Sequence, residues 1–349
     1  MSWDEELNDR KKAILRSIVD DYIHTAQPVG SRTISRKHEL GLSSATIRNE
    51  MADLEDLGYI AQPHTSSGRV PSDKGYRFYV DNLVQVQELA SEEMQHIRIA
   101  MDERIGELGD LVRRAATLIS AITGYTTLAM TPQAEETPIR SIQIVPVGTQ
   151  RVLVIVVASG GMVNSRVVRL DRELSDEGIH RLSSFLGQRL EGKPVSEVTI
   201  RLMMEVEQVL GLPDGIVLPV VEGVRECMRR IGHSEIMLDG IMNLFNFPEF
   251  NDLLKAREIM DLLREEDVLS AMLHTVGKRT NMEVRIGSEN QLGPMRDLSL
   301  ITAGYGDGER HYGAIGVIGP TRMAYSRVIA SIDYVRKLLD REMLRIIRD

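Results

Sequence analysis

The spacing of apolar residues in the first eighty positions predicts three helices. Between residues 10 and 24 the apolar side chains recur every three or four positions, which is typical of one face of an amphipathic helix. A second, shorter helix is predicted from Ser31 to about residue 38, because Ser is a favourable N-cap. Ser43 or Ser44 then caps a third helix. The pattern predicts a helix-turn-helix.

A short β-hairpin is predicted after the third helix, which ends at Gly58. Residues 59–62 and the run that begins at Val70 are brief extended segments, and the polar stretch 63–69 lies between them. A hairpin that follows a helix-turn-helix is the pattern of a winged helix. Winged helices bind DNA, and they also serve as protein-interaction modules, so the pattern alone leaves both functions open.

The polar face of the third helix favours DNA binding. Ile47, Met51 and Leu54 form its apolar face, and the acidic residues lie in its C-terminal half. Recognition helices contact base edges with their N-terminal residues, where Arg can bind guanine and Asn can bind adenine through two hydrogen bonds. The residues predicted to read bases are Ser44, Thr46, Arg48 and Asn49. The alternative is that these residues form an ordinary solvated face.

A second set of residues is predicted to hold the DNA backbone or to form the wing. Hydroxyl groups and free amide groups at the start of a helix, and basic side chains on a hairpin, are common phosphate contacts. The set consists of Ser31, Arg32, Thr33, His64, Thr65, Ser66, Arg69 and Lys74. Each of them is also compatible with a structural role.

The charge balance restricts any nucleic-acid site to a local surface. The 349 residues include 42 Lys and Arg against 51 Asp and Glu, so the net charge is −9. Residues 1–80 carry 11 basic and 12 acidic side chains, a net charge of −1, and the remaining acidity belongs to the later part. An acidic protein does not coat phosphates non-specifically, so the nearly neutral N-terminal segment is the better candidate.

Four stretches within this segment resemble the HrcA family of heat-inducible transcription repressors. They are GSRTIS at 30–35, LSSATIRNEMADLEDLGY at 42–59, QPHTSSGR at 62–69 and PSDKGYRFY at 71–79, and NLFNFPEF at 243–250 is also similar to a family motif. The resemblance implies a bacterial homodimer that represses heat-shock chaperone operons. It further implies binding to double-stranded DNA at an inverted-repeat operator, with chaperonin as a modulator.

The next segment, residues 86–125, is predicted to be a linker helix. From Met94 to Ile122 its apolar residues follow a heptad seam with alternating steps of four and three. Such a seam packs either against a partner subunit, which would set the separation of two DNA-reading units, or against its own chain. Dimerisation is the interpretation that matches a palindromic site.

The remaining chain predicts an α+β, multidomain protein. Strands are expected at 142–147, 152–159, 162–170, 282–286, 298–305 and 312–318, with a helix at 175–191 and a closing helix at about 324–347. Through the family resemblance, 126–195 and 267–349 are assigned to a GAF-like domain, and 196–266 to an inserted dimerisation domain. Phe245, Phe247 and Phe250 are the dimerisation candidates, and a buried core is the alternative.

We expect neither an enzyme nor a cofactor. The eight His are scattered, Cys227 stands alone, and no acid–base or nucleophile constellation or metal site emerges from the spacing. The charged N-terminus and the short apolar runs predict a cytoplasmic location, at the nucleoid when bound to the operator. An alternative function is a winged-helix regulator that responds to a small molecule in the GAF-like domain.

Overall fold

The computed structural model describes residues 7–38, 40–64, 67–86, 89–102, 108–131, 138–194, 197–232, 234–274, 282–306 and 311–348. The fold is α+β, as the sequence predicts. Its α-helices are α1 (Asp9–Thr25), α2 (Ser31–Lys37), α3 (Ser44–Asp56), α4 (Asp73–Phe78), α5 (Ser91–Asp102), α6 (Leu108–Thr123), α7 (Asp176–Leu190), α8 (Ile200–Leu210), α9 (Val217–Gly232), α10 (Leu253–Leu262), α11 (Glu266–His274) and α12 (Tyr325–Arg348). Its strands are β1 (Ile60–Ala61), β2 (Val70–Pro71), β3 (Thr126–Met130), β4 (Ile139–Gly148), β5 (Arg151–Ala158), β6 (Val163–Arg169), β7 (Ile236–Asp239), β8 (Met282–Ile286), β9 (Leu298–Gly306) and β10 (His311–Pro320). Within these ranges, no helix combines the length and the apolar character that a membrane crossing requires.

The three N-terminal helices and the hairpin lie where the sequence places them. The side chain of Asn8 accepts a hydrogen bond from the Lys11 amide at 2.9 Å and caps α1. Strands β1 and β2 pair in an antiparallel manner, and α4 continues into a π-helical turn at Tyr79–Leu83. We call the described residues from α1 through this turn the head, and those from α5 onward the body.

The body contains a five-stranded antiparallel sheet in the order β7-β3-β10-β9-β8. Alternate residues of its strands enter different hydrophobic clusters, as the two-residue period of a strand requires. Ala129, Ile301 and Val317 pack in the cluster that contains α6 and α12, while Leu128 and Ile318 pack with α10 and α11. The sheet is therefore covered on both faces.

A second antiparallel sheet, in the order β4-β5-β6, packs one face against α7, α8 and α9. Its hydrophobic cluster runs from Ile139 to Ile231 and so crosses the predicted boundary at residue 195. The predicted inserted segment 196–266 is divided in the structure, because α8 and α9 belong to this unit whereas β7 extends the five-stranded sheet. Periodicity predicts where a strand lies, but it carries no information about which sheet the strand joins.

The heptad seam packs within its own chain. Met101, Leu108, Val112 and Ile119 are all at most 2% exposed and belong to the cluster that contains α12. The described segment comprises α5 and α6, and the seam residue Ile105 lies outside the described residues. Because α12 already covers the seam, these side chains offer no surface to a partner subunit.

The three Phe residues near 250 do not form one surface. Phe250 is 4% exposed and packs in the core beneath the five-stranded sheet. Phe247 stacks on Tyr125 with ring centroids 5.2 Å apart, whereas Phe245 is 42% exposed. Of the three predicted dimerisation residues, Phe245 alone presents a large exposed surface. The other two stabilise the fold.

Candidate nucleic-acid interface

The N-terminal half of α3 presents the four predicted base-reading residues. Ser43 caps the helix, since its hydroxyl accepts a hydrogen bond from the Thr46 amide at 3.1 Å. Ile47 is fully buried, so the helix face that carries Arg48 and Asn49 points into solvent. Neither of these two side chains forms a hydrogen bond or an ion pair with any residue that the structure describes. Ser44 and Thr46 are half-buried at the edge of the same surface.

Three of the four acidic residues of α3 are paired with basic side chains of the head. Lys11 on α1 lies 2.7 Å from a Glu50 oxygen and 2.8 Å from an Asp53 oxygen. The hydrogen bonds to Asp53 and Glu50 raise the pKa of Lys11, and the bond to Asp53 has the larger effect. Arg69 lies 2.7 Å from a Glu55 oxygen. Three carboxylates that would repel phosphate are therefore paired with cations behind the surface that carries Arg48 and Asn49.

The start of α2 lies beside the start of α3. The hydroxyl oxygens of Ser31 and Ser44 are 3.1 Å apart, which brings the predicted backbone contacts next to the predicted base readers. Arg32 and Thr33 are exposed. Arg36, which sequence reasoning did not select, is exposed as well and has no partner among the described residues. Its position four residues after Arg32, on the same face of α2, is the signal that could have identified it.

The hairpin is attached to the loop before α2. Val29 and Arg69 exchange two backbone hydrogen bonds of 2.8 and 2.9 Å, so the hairpin continues into this loop. His64 is exposed at the tip, and its amide donates to the Ser67 hydroxyl at 3.0 Å. The predicted contacts Thr65 and Ser66 lie outside the described residues.

Two of the predicted backbone contacts already have partners inside the head. The guanidinium of Arg69 donates through Nε to Glu55 at 2.8 Å in addition to its ion pair. The Lys74 Nζ donates to the Leu57 carbonyl at 3.0 Å and lies 4.2 Å from the centre of the Tyr59 ring. Lys74 thus satisfies a carbonyl at the end of α3, a position where a cation is favourable. Both residues order the hairpin and the helix that carry the exposed surface.

We expect Gly68→Ala to destabilise the head. A Cβ at position 68 would lie 2.5 Å from the carbonyl carbon and oxygen of Val29, which are backbone atoms that cannot rotate away. Overpacking of this kind costs about 1–3 kcal/mol. Thermal unfolding of the full chain measures the effect. Gly109→Ala is the matched control, since no atom lies within 4 Å of the added Cβ. Equal melting temperatures for both variants would contradict the proposed packing.

Comparisons with known proteins agree with the resemblance seen in the sequence. Residues 109–329 match the family model described as the HrcA protein C terminal domain. A heat-inducible transcription repressor HrcA of Acetivibrio thermocellus is 43% identical over 342 residues, which cover 98% of this chain and 97% of that protein. The HrcA repressor of Ruminiclostridium cellulolyticum is 41% identical over 343 residues, which cover 98% of this chain and 99% of the relative. A crystal structure described as that of a hypothetical protein superposes with a TM-score of 0.66 at 25% identity, and covers 98% of this chain and 100% of its own.

Proposed function

The chain belongs to the HrcA family of heat-inducible transcription repressors, and from this premise we propose that it represses heat-shock chaperone operons as a homodimer on an inverted-repeat operator. The head acts as a winged helix, and α3 enters the major groove. The observation that carries this proposal is the surface at the start of α3. There Arg48 and Asn49 are exposed and unpaired among the described residues, while Glu50, Asp53 and Glu55 behind them are paired with basic side chains.

The arrangement separates base reading from backbone contact. The planar guanidinium of Arg48 fits guanine O6 and N7, and the amide of Asn49 fits adenine N6 and N7. Ser31, Arg32 and Thr33 on the neighbouring helix hold phosphates on either side of the groove, and Arg36 extends this cationic edge. Arg69 and Lys74 contribute by fixing the hairpin, through Glu55 and the Leu57 carbonyl.

Self-association is supported by an open apolar face of the three-stranded sheet. Its inward residues pack on α7, α8 and α9, whereas outward residues of the same strands, among them Val145, Val163 and Val167, are exposed. We call this surface the outer sheet face. Its apolar members are Val145, Leu153, Ile155, Val157, Val163 and Val167. A second copy of the chain is the occupant that a palindromic operator requires, because a two-fold dimer presents two identical heads.

The regulation that we propose is the one that the family resemblance implies. The GAF-like domain of our proposal comprises residues 126–195 and 267–349, which include β3, β8, β9, β10 and α12, and chaperonin acts as the modulator of operator binding. The test compares operator binding by protein that has been heated and then incubated with or without chaperonin and ATP. Recovery that depends on chaperonin supports the modulation, and equal recovery in both samples contradicts it.

The repressor function itself is tested by anisotropy with three duplexes. They are an upstream inverted repeat of a chaperone operon, one half of that repeat and a scrambled duplex, each at two salt concentrations. We expect the full repeat to bind at least about a hundredfold more tightly than the half-site, because linking two modules raises the effective concentration of the second. Equal and salt-sensitive binding to all three duplexes would contradict sequence-specific repression.

A further inference from the structure

The head is joined to the body by an ion pair between α4 and the turn that follows β8. Arg77 donates through Nε to one Glu289 oxygen at 2.7 Å and through a terminal nitrogen to the other. The same terminal nitrogen donates to the Val284 carbonyl at 2.5 Å. Arg77 therefore makes a two-pronged contact with a carboxylate and also binds the backbone of the edge strand β8. This geometry fixes the orientation of α4 relative to the turn after β8, as well as the distance between them.

A second contact lies one helical turn away. The Asp73 carboxylate accepts a hydrogen bond from the Ser288 amide at 2.8 Å. This approach depends on Gly287, because a Cβ there would lie 2.3 Å from an Asp73 oxygen. Gly287 also has a φ of +52°, a conformation that favours glycine. The turn 287–289 is thus shaped to receive the start of α4.

Apolar packing continues the same junction. Tyr76, which is 2% exposed, lies between Arg77 and Asp73 in sequence and packs on Tyr325 with ring centroids 6.0 Å apart. Arg322 of the body also donates to the Ile23 carbonyl near the end of α1 at 3.1 Å. These contacts involve two helices of the head, α4 and α1, so they restrict its rotation about the linker that follows residue 83.

We propose that Arg77, Asp73 and Glu289 are positioning residues that set which operator spacing the dimer accepts. The inference rests on the proposed function, because it requires two heads on one inverted repeat. None of the three residues lies on the exposed surface of α3. Their effect is to hold that surface at a fixed angle to the body, and hence to the second head.

The geometry of DNA makes such rigidity measurable. Each base pair added between half-sites moves the second half-site by about 3.4 Å and turns it by about 35°, given 10–10.5 base pairs per turn. Two rigidly held heads fit one spacing between the half-sites. Any other spacing requires bent or twisted DNA, or a rotated head. Freed heads would tolerate several spacings.

The experiment measures operator affinity of the full chain as a function of spacer length, for the natural repeat and for versions with one or two base pairs added or removed. For the unaltered protein we expect about a tenfold or larger loss at two base pairs from the optimum. Arg77→Ala and Glu289→Ala should reduce this loss to about threefold or less, since a mobile head follows the rotated half-site. Half-site affinity should not change. Arg189→Ala, which removes a comparable two-pronged pair with Glu205 in the three-stranded unit, should keep the original profile.

Three results would overturn the positioning role. One is an unchanged spacer profile in Arg77→Ala, and another is a uniform loss of affinity at every spacing, which a merely structural role would produce. The third is an equally broad profile for Arg189→Ala. The failure of the proposed function is distinguishable, because in that case the unaltered protein itself shows no preference for the full repeat over the scrambled duplex.

Discussion

Replacing Arg48 by alanine should lower operator affinity by about tenfold to a hundredfold for each half-site, since a bidentate pair with guanine discriminates by about 1–3 kcal/mol. The guanidinium is exposed and has no partner among the described residues, so its loss leaves no buried group unsatisfied in the head. We therefore expect the melting temperature to stay the same. Binding isotherms with the operator and with the scrambled duplex measure the change in specificity.

Arg48→Lys separates the two contributions of this side chain. Lysine retains the positive charge but lacks the planar fork, so it should restore phosphate attraction and not base discrimination. The predicted order of specificity ratios is arginine well above lysine, and lysine close to alanine. Asn49→Ala should relax the preference at a different base pair. If Arg48→Ala leaves both operator affinity and base preference unchanged, α3 does not read the operator through this residue.

Local signals in the sequence were sufficient to predict the first three helices and the hairpin of the head, but not α4 and the turn that follows it. Ser43 is a helix cap, Gly58 follows the third helix, and Ile47 lies on the buried face, all of which depend on residues within about four positions of one another. The partners of Arg69 and Lys74 were not predictable, because Glu55 and Leu57 lie fourteen and seventeen residues away in sequence. Charge type alone does not show whether a basic side chain faces DNA or a carboxylate of its own chain.

The body shows the same division between local and long-range information. The strands at β8, β9 and β10 and the closing helix lie close to the predicted ranges, because their apolar residues recur with the period of a strand or of a helix. The division into two sheets was not predictable, since Val154 and Val317 lie in equally apolar strands that join different sheets. The heptad seam likewise predicts a buried face, but only the three-dimensional packing shows that α12 covers it. The assignment of 126–195 with 267–349 and of 196–266 to named domains stays a prediction.

Placing a charge on the outer sheet face should dissociate the dimer. Val167 is 56% exposed in the single chain, so the fold should tolerate a lysine at this position in Val167→Lys. In the proposed dimer this position becomes buried, and an unpaired ammonium there costs about 2 kcal/mol or more. Because the interface is two-fold, each dimer buries two copies of the substituted residue. The free energy of association is then less favourable by about 4 kcal/mol, which weakens association about a thousandfold. Sedimentation equilibrium measures the dissociation constant.

The control is Val209→Lys on α8, where the valine is 58% exposed and does not belong to the outer sheet face. It introduces the same charge at nearly the same exposure, so it should leave the dimer intact. Val167→Lys should bind the full repeat about as weakly as the half-site, because the second head no longer adds an intramolecular binding event. Its half-site affinity should stay unchanged, since the head is not altered. If both variants remain dimers and bind the full repeat like the unaltered protein, the second copy docks elsewhere, and exposed Phe245 is then the next position to change.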